Sequence, residues 1–165
     1  MQPQSFTPFA LVIVVLPIYS SAAATPSQDC PLIQSIYRDV NGKGFELVFG
    51  PPLTKTIYPA SAVIQHAQAG KLYEFDVSQS SGYGSVWLGT RTQPSSGRLK
   101  SFWITFFDQD LQAATPLWFR EAEKAPQYAV IAELGSHDYY QRRGTENPPL
   151  IGDVMWKFDR CQPKK

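Results

Sequence analysis

The chain has 165 residues, 43% of them hydrophobic and 13% aromatic, with 15 Lys and Arg against 14 Asp and Glu and a formal net charge of +1. That near-balance leaves no large basic field to attract nucleic acid, so strong sequence-independent RNA binding is disfavoured. The length suits one domain with one sizeable core.

Residues 1–24 contain no charged side chain and hold the apolar run "FALVIVVLPIY" (Phe9 to Tyr19), followed by Ala22-Ala23-Ala24, a small-residue cleavage signal. This reads as a secretory signal peptide: the run is too short to span a bilayer, and Pro17 interrupts it. Residues 25–165 are then expected to form a single secreted domain without a membrane span. The two cysteines, Cys30 and Cys161, stand near the ends of that mature chain. An oxidising compartment predicts that they are bridged.

In chain order, "SIYRDVNGKGFELVFG" (Ser35 to Gly50) places two apolar-rich arms around Asn41-Gly42-Lys43-Gly44, whose Asn and Gly residues suit a hairpin turn. In "PASAVIQHAQAG", Pro59 near the start, Ser61 as a cap, the alanines and Gly70 as a stop predict a short helix. Beyond it, "KLYEFDV", "SVWLGT", "LKSFWITFF", "QYAVIAEL" and "DVMWKFDRC" read as strands, rich in aromatic and β-branched residues. "PLWFREAEKA" is strand or helical turn, its period deciding neither. "GSHDYYQRRGTENPP" reads as a long exposed loop. A hairpin, one helix and successive strands predict an α+β domain, with the short helix packed on a central antiparallel β-sheet.

The chain holds no H-x-x-x-H, C-x-x-C, G-x-S-x-G or P-loop motif, so no metal or cofactor is expected. His66, on the expected helix, and His137 are lone histidines, a pattern that fits structural or solvent-facing residues better than metal ligands. His137 adjoins Asp138, but neighbours in sequence seldom face each other.

Three stretches and their order carry a family resemblance. "LYEFDVSQSSG", "FWITFFDQDLQAA" and "YAVIAELGS", with Cys161 closing the chain, resemble successive strands of the small secreted fungal guanyl-specific ribonucleases. The likeness covers about half of the mature chain and implies a microbial ribonuclease-like fold. Such enzymes use a carboxylate to take the ribose 2′-hydroxyl proton, an arginine and a histidine to stabilise the phosphate, and a second histidine as general acid. Glu74 matches the carboxylate. The general-acid position falls on Glu133, and the arginine position on Trp103 or a neighbour. The remaining histidine is either Ala60, if "IYPAS" aligns, or deleted with its loop.

The catalytic set is therefore incomplete, and the resemblance implies a non-enzyme in which Glu74 is vestigial. A ribonuclease-like scaffold without its catalytic residues resembles the RNase-like secreted effectors of plant-pathogenic fungi of the powdery mildew type, although "SQDCP" replaces their aromatic-x-Cys start. That likeness implies a monomer that binds host targets to suppress plant immunity. A host protein is the expected partner, with weak RNA binding the other option.

The aromatic residues admit two readings. Trp87, Trp103, Trp118 and Trp156, with Phe102, Phe106 and Phe107, could stack bases, but filling the core of a small sheet accounts for them better. Alternation along "LKSFWITFF" puts Phe102, Ile104 and Phe106 on one face and Trp103, Thr105 and Phe107 on the other. Both faces are largely apolar, so the strand is either covered twice or presents a partner surface. Trp103 and Phe107, with Arg142 and Arg143 of the "YYQRRG" segment, are the candidate contact residues. Two alternatives stand beside the binding role: an active secreted ribonuclease or other hydrolase using Glu74 with Glu133 or His137, and a small β-barrel carrier. The carrier would show as a closed barrel around an empty, aromatic-lined cavity.

Overall fold

The computed structural model describes residues 30–53, 57–91, 99–116, 119 and 124–163. The segment 1–24 expected to be a signal peptide, Trp118, and most of the undecided "PLWFREAEKA" stretch lie outside them.

Segments rich in β-branched and aromatic residues build eight strands among the described residues: β1 (Ser35–Asp39), β2 (Phe45–Gly50), β3 (Ala60–His66), β4 (Gly70–Gln79), β5 (Val86–Thr90), β6 (Ser101–Phe107), β7 (Tyr128–Ile131) and β8 (Met155–Cys161). Each pairs antiparallel with the next, and β8 returns to β1, closing an up-and-down barrel. Closure leaves no open sheet edge.

This architecture corrects the expected α+β, microbial ribonuclease-like fold. The segment expected to be a helix is β3, paired with both β2 and β4. Its alanines are small residues facing large ones: Ala62 stands between Phe49 on β2 and Phe75 on β4. Gly70, at φ +70, opens β4 after a three-residue turn and does not cap a helix. The α-helix among the described residues, α1 (Leu134–Arg142), occupies the segment expected to be an exposed loop. It lies in the β7–β8 connection and buries Leu134, Gly135 and Asp138.

The first hairpin forms around Asn41–Gly44 as its residues suggest. Gly42 and Gly44 take φ values of +68 and +89, which glycine adopts without strain. Asp39 ties the turn by accepting from the backbone N–H groups of Lys43, Gly44 and Phe45 at 2.6, 3.1 and 2.8 Å.

Large side chains converge inside the barrel: Tyr37, Phe45, Phe49, Phe75, Phe102, Phe106 and Trp156 are each at most 1% exposed. Edge-to-face contacts such as Tyr37–Phe49 at 5.8 Å and Phe75–Phe102 at 5.9 Å lock their orientations. Tyr37 donates its hydroxyl to the carbonyl of Pro126 at 2.8 Å, and burial pushes its pKa far above the ordinary tyrosine value. At the end opposite α1, the Cys30–Cys161 disulfide joins the segment that enters β1 to the end of β8, beside the β1–β8 seam.

Candidate functional site

Because successive strands alternate in direction, the β1–β2, β3–β4, β5–β6 and β7–β8 connections gather at one mouth, which α1 covers. A cleft of about 310 Å³ opens there between the helix and the rim, lined by Leu72, Tyr73, Glu74, Thr90, His137, Gln141 and Arg142. It brings together three residues that the sequence singled out: Glu74, His137 and Arg142. Glu133, Trp103, Phe107 and Arg143 are not among its lining residues.

Beneath the cleft lies a saturated polar network. Asp138, fully buried, accepts from Arg142 Nε at 2.6 Å and Nη2 at 2.9 Å, from the Tyr73 hydroxyl at 2.7 Å, and from the Ile151 N–H at 2.8 Å. Arg142 also donates to the carbonyls of Pro148 and Pro149 at 3.0 and 2.9 Å. Burial alone would raise the Asp138 pKa, but the hydrogen bonds from Arg142, Tyr73 and Ile151 and the arginine's charge hold it below the usual carboxylate range. Burial, then the bond to Asp138, pushes the Tyr73 hydroxyl well above its ordinary value. The hydrogen bond to Asp138 raises Arg142 further, against its own burial. These groups hold the mouth shut and are not poised to exchange protons at neutral pH.

His137 turns its ring toward the barrel, 5.8 Å from Tyr73 and 5.1 Å from Phe102. Burial, then the positive charge of Lys100, lowers its pKa, with Asp138 opposing, so the neutral imidazole is favoured. Glu74 projects from the outward-facing positions of β4 and accepts from Lys71 Nζ at 2.8 Å. Glu133, where the ribonuclease resemblance sought a general acid, precedes α1 at φ +62 with its side chain 75% exposed, 3.9 Å from Lys100. Glu74 and His137 thus share a cleft; Glu74 is paired with Lys71, and the nearby guanidinium is engaged by Asp138. The arrangement presents polar groups to a ligand.

His66 is also occupied, on β3 and not on a helix. Its Nε2 lies 3.1 Å from the Lys43 carbonyl, and its Nδ1 accepts from the Gln68 N–H at 3.3 Å. Among the described residues no group of three or more His, Cys, Asp or Glu side chains is placed to hold a metal ion.

The outer wall has two contrasting flanks. Across β8, β1, β2 and β3 runs a charged ladder: Glu46 meets Arg160 at 2.9 Å, Arg38 at 3.5 Å and the Gln65 amide at 3.0 Å, while Asp159 pairs with Arg38 and Arg160. Burial would raise the Glu46 pKa, but these donors and the charges of Arg160 and Arg38 hold it low. Four strands round the barrel, Trp87 on β5 and Trp103 on β6 stand opposite each other in register. Their rings stack at 5.7 Å and 29°, and they remain 37% and 44% exposed. Phe107 is half-buried farther along the same outward face of β6, beside Tyr128. Arg143 is exposed, whereas Arg142 is held in the Asp138 network.

Asp138 and Trp87 carry more of this arrangement than their sequence context suggested. The i,i+4 spacing of Asp138 and Arg142 was the available signal for the first. Nothing local foretold the pairing of Trp87 with Trp103, which depends on strand register. No family model matches the chain, and no significant match to it was found among curated proteins or solved structures.

Proposed function

We propose that the protein is a secreted, non-catalytic binding module that engages a protein partner through the outer wall of its barrel. The filling of the barrel carries this reading. A carrier needs an empty lumen, whereas here aromatic side chains occupy it at 0–1% exposure. The chain is a small β-barrel, but its interior serves stability. Its charged exterior and apolar interior favour water around it, since a barrel that faces lipid turns an apolar band outward.

Of the groups left uncovered, the Trp87–Trp103 pair suits a protein interface best, because tryptophan is enriched among residues that dominate binding energy. The two rings stack on each other, which favours protein over RNA, since bases need open ring faces. Action on host targets, including suppression of plant immunity, is a finer version of this role. It followed from the ribonuclease-like layout, which the barrel replaces, and now needs support of its own.

Affinity capture from extracellular fluid, with wild-type bait beside a Trp87→Ala/Trp103→Ala double variant, tests the reading. A partner held by wild type should be re-expressed and titrated, and the double variant should bind it about 30-fold more weakly or worse, the scale of one interface hot spot. The variant should keep its melting temperature. Captured proteins whose affinity ignores both tryptophans, or hydrolytic turnover abolished by Glu74→Gln, would refute the proposal.

A further inference from the structure

The cleft at the helix-covered mouth has a composition of its own, independent of the outer-wall reading. Its polar groups divide into those already used and those left over. The Arg142 guanidinium is committed to Asp138 and two carbonyls, and the Tyr73 hydroxyl donates its hydrogen bond to Asp138. Among the described residues, neither ring nitrogen of His137 nor the side-chain amide of exposed Gln141 makes a hydrogen bond. Glu74 has one oxygen on Lys71 and a second free to accept. Thr90 accepts from the Lys100 N–H at 2.9 Å and keeps its own hydroxyl proton to donate.

The charges cancel. An anion would find the guanidinium engaged and a carboxylate at the rim. A cation would find that carboxylate already paired with Lys71, and Lys100 close enough to depress His137. What remains is a mixed set of donors and acceptors beside the rings of Tyr73 and His137, tilted at 54° to each other, with Leu72 as apolar lining. A ligand that matches this set has no net charge, several hydroxyls able both to donate and to accept, and a C–H face that packs on a ring. We propose that the cleft binds a neutral, polyhydroxylated ligand of the saccharide class. Its volume of about 310 Å³ lies at the small end of ligand sites, which suits roughly one or two sugar rings.

Calorimetric titration of the purified, disulfide-closed protein with cellobiose, maltose and N,N′-diacetylchitobiose tests this, with inorganic phosphate and choline as charged comparisons. At least one disaccharide should bind with a Kd of about 1 mM or tighter, and neither charged probe should. Glu74→Ala and Gln141→Ala should each weaken that binding about 10-fold, the loss expected when a hydrogen bond to a sugar hydroxyl is removed. Both side chains lie at the rim, so the variants should stay folded, which thermal unfolding checks. Tyr83→Ala, 91% exposed in the β4–β5 turn at the other end, should change nothing. Absence of disaccharide binding up to roughly 10 mM, binding of phosphate or choline in its place, or saccharide binding indifferent to both rim variants would overturn the proposal.

Discussion

Asp138 lies on the buried side of α1 with both carboxylate oxygens occupied, and its donors come from β4, from the helix itself and from the irregular segment between α1 and β8. Removing one member of a buried ion pair strands the other, so Asp138→Ala should cost about 3–5 kcal/mol in chemical denaturation. Its depressed pKa gives the sign of the pH dependence. The stabilisation is fully present above the unfolded carboxylate value of about 3.9 and is lost as pH falls through the lower folded value. His137 acts at milder acidity. Its folded pKa is also lowered, so stability declines as pH drops below the unfolded value of about 6.5. Unfolding midpoints measured between pH 7 and 5 should fall in the wild type and stay flatter in His137→Gln. Little of this was legible beforehand: the i,i+4 spacing of Asp138 and Arg142 is visible in the chain, but the Tyr73 hydroxyl that completes the network lies 65 residues away.

At the scale of elements, local signals and long-range pairing part company at two places. Pro59, Ser61, the alanines and Gly70 spell a helix by propensity, yet Ala62 is wanted for its small volume between two phenylalanines, and tertiary pairing overrides propensity. The period of two was hidden because Ser61 and Val63, on the outward positions, are buried as well. The converse holds for α1, whose Gly, His and Tyr residues argue weakly for a helix. Its seat depends on Gly135, where an added Cβ would lie 2.4 Å from the backbone carbon of Gly152. Gly135→Ala must therefore push the helix off the β8 approach, and we expect a loss of about 1–3 kcal/mol or more with the strands retained. Circular dichroism alongside thermal unfolding would separate that outcome from collapse of the barrel. The first hairpin was legible because its turn chemistry is local, and β4 to β8 because their alternation is clear.

For the whole molecule, closure was the feature that no segment announces, since β1 and β8 pair across nearly the full length of the described chain. The likeness to fungal ribonucleases rested on three strands, and strands of that kind serve a closed barrel equally well. The cysteines were more informative, because the oxidising compartment expected from the sequence argued for the bond that ties the barrel seam across a separation of 131 residues. Reducing that bond, or replacing it with Cys30→Ser/Cys161→Ser, should cost about 5 kcal/mol on the chain-entropy model. Denaturant titration with and without reductant measures it directly. The filled lumen is the central claim, because it moves binding from the inside of the barrel to its outside. Its most direct test is calorimetric titration of the disulfide-closed protein with palmitate, repeated on Ala62→Leu, which narrows the lumen. The structure predicts no saturable one-to-one uptake by the wild type. One-to-one uptake that Ala62→Leu abolishes would contradict it and make the barrel a carrier.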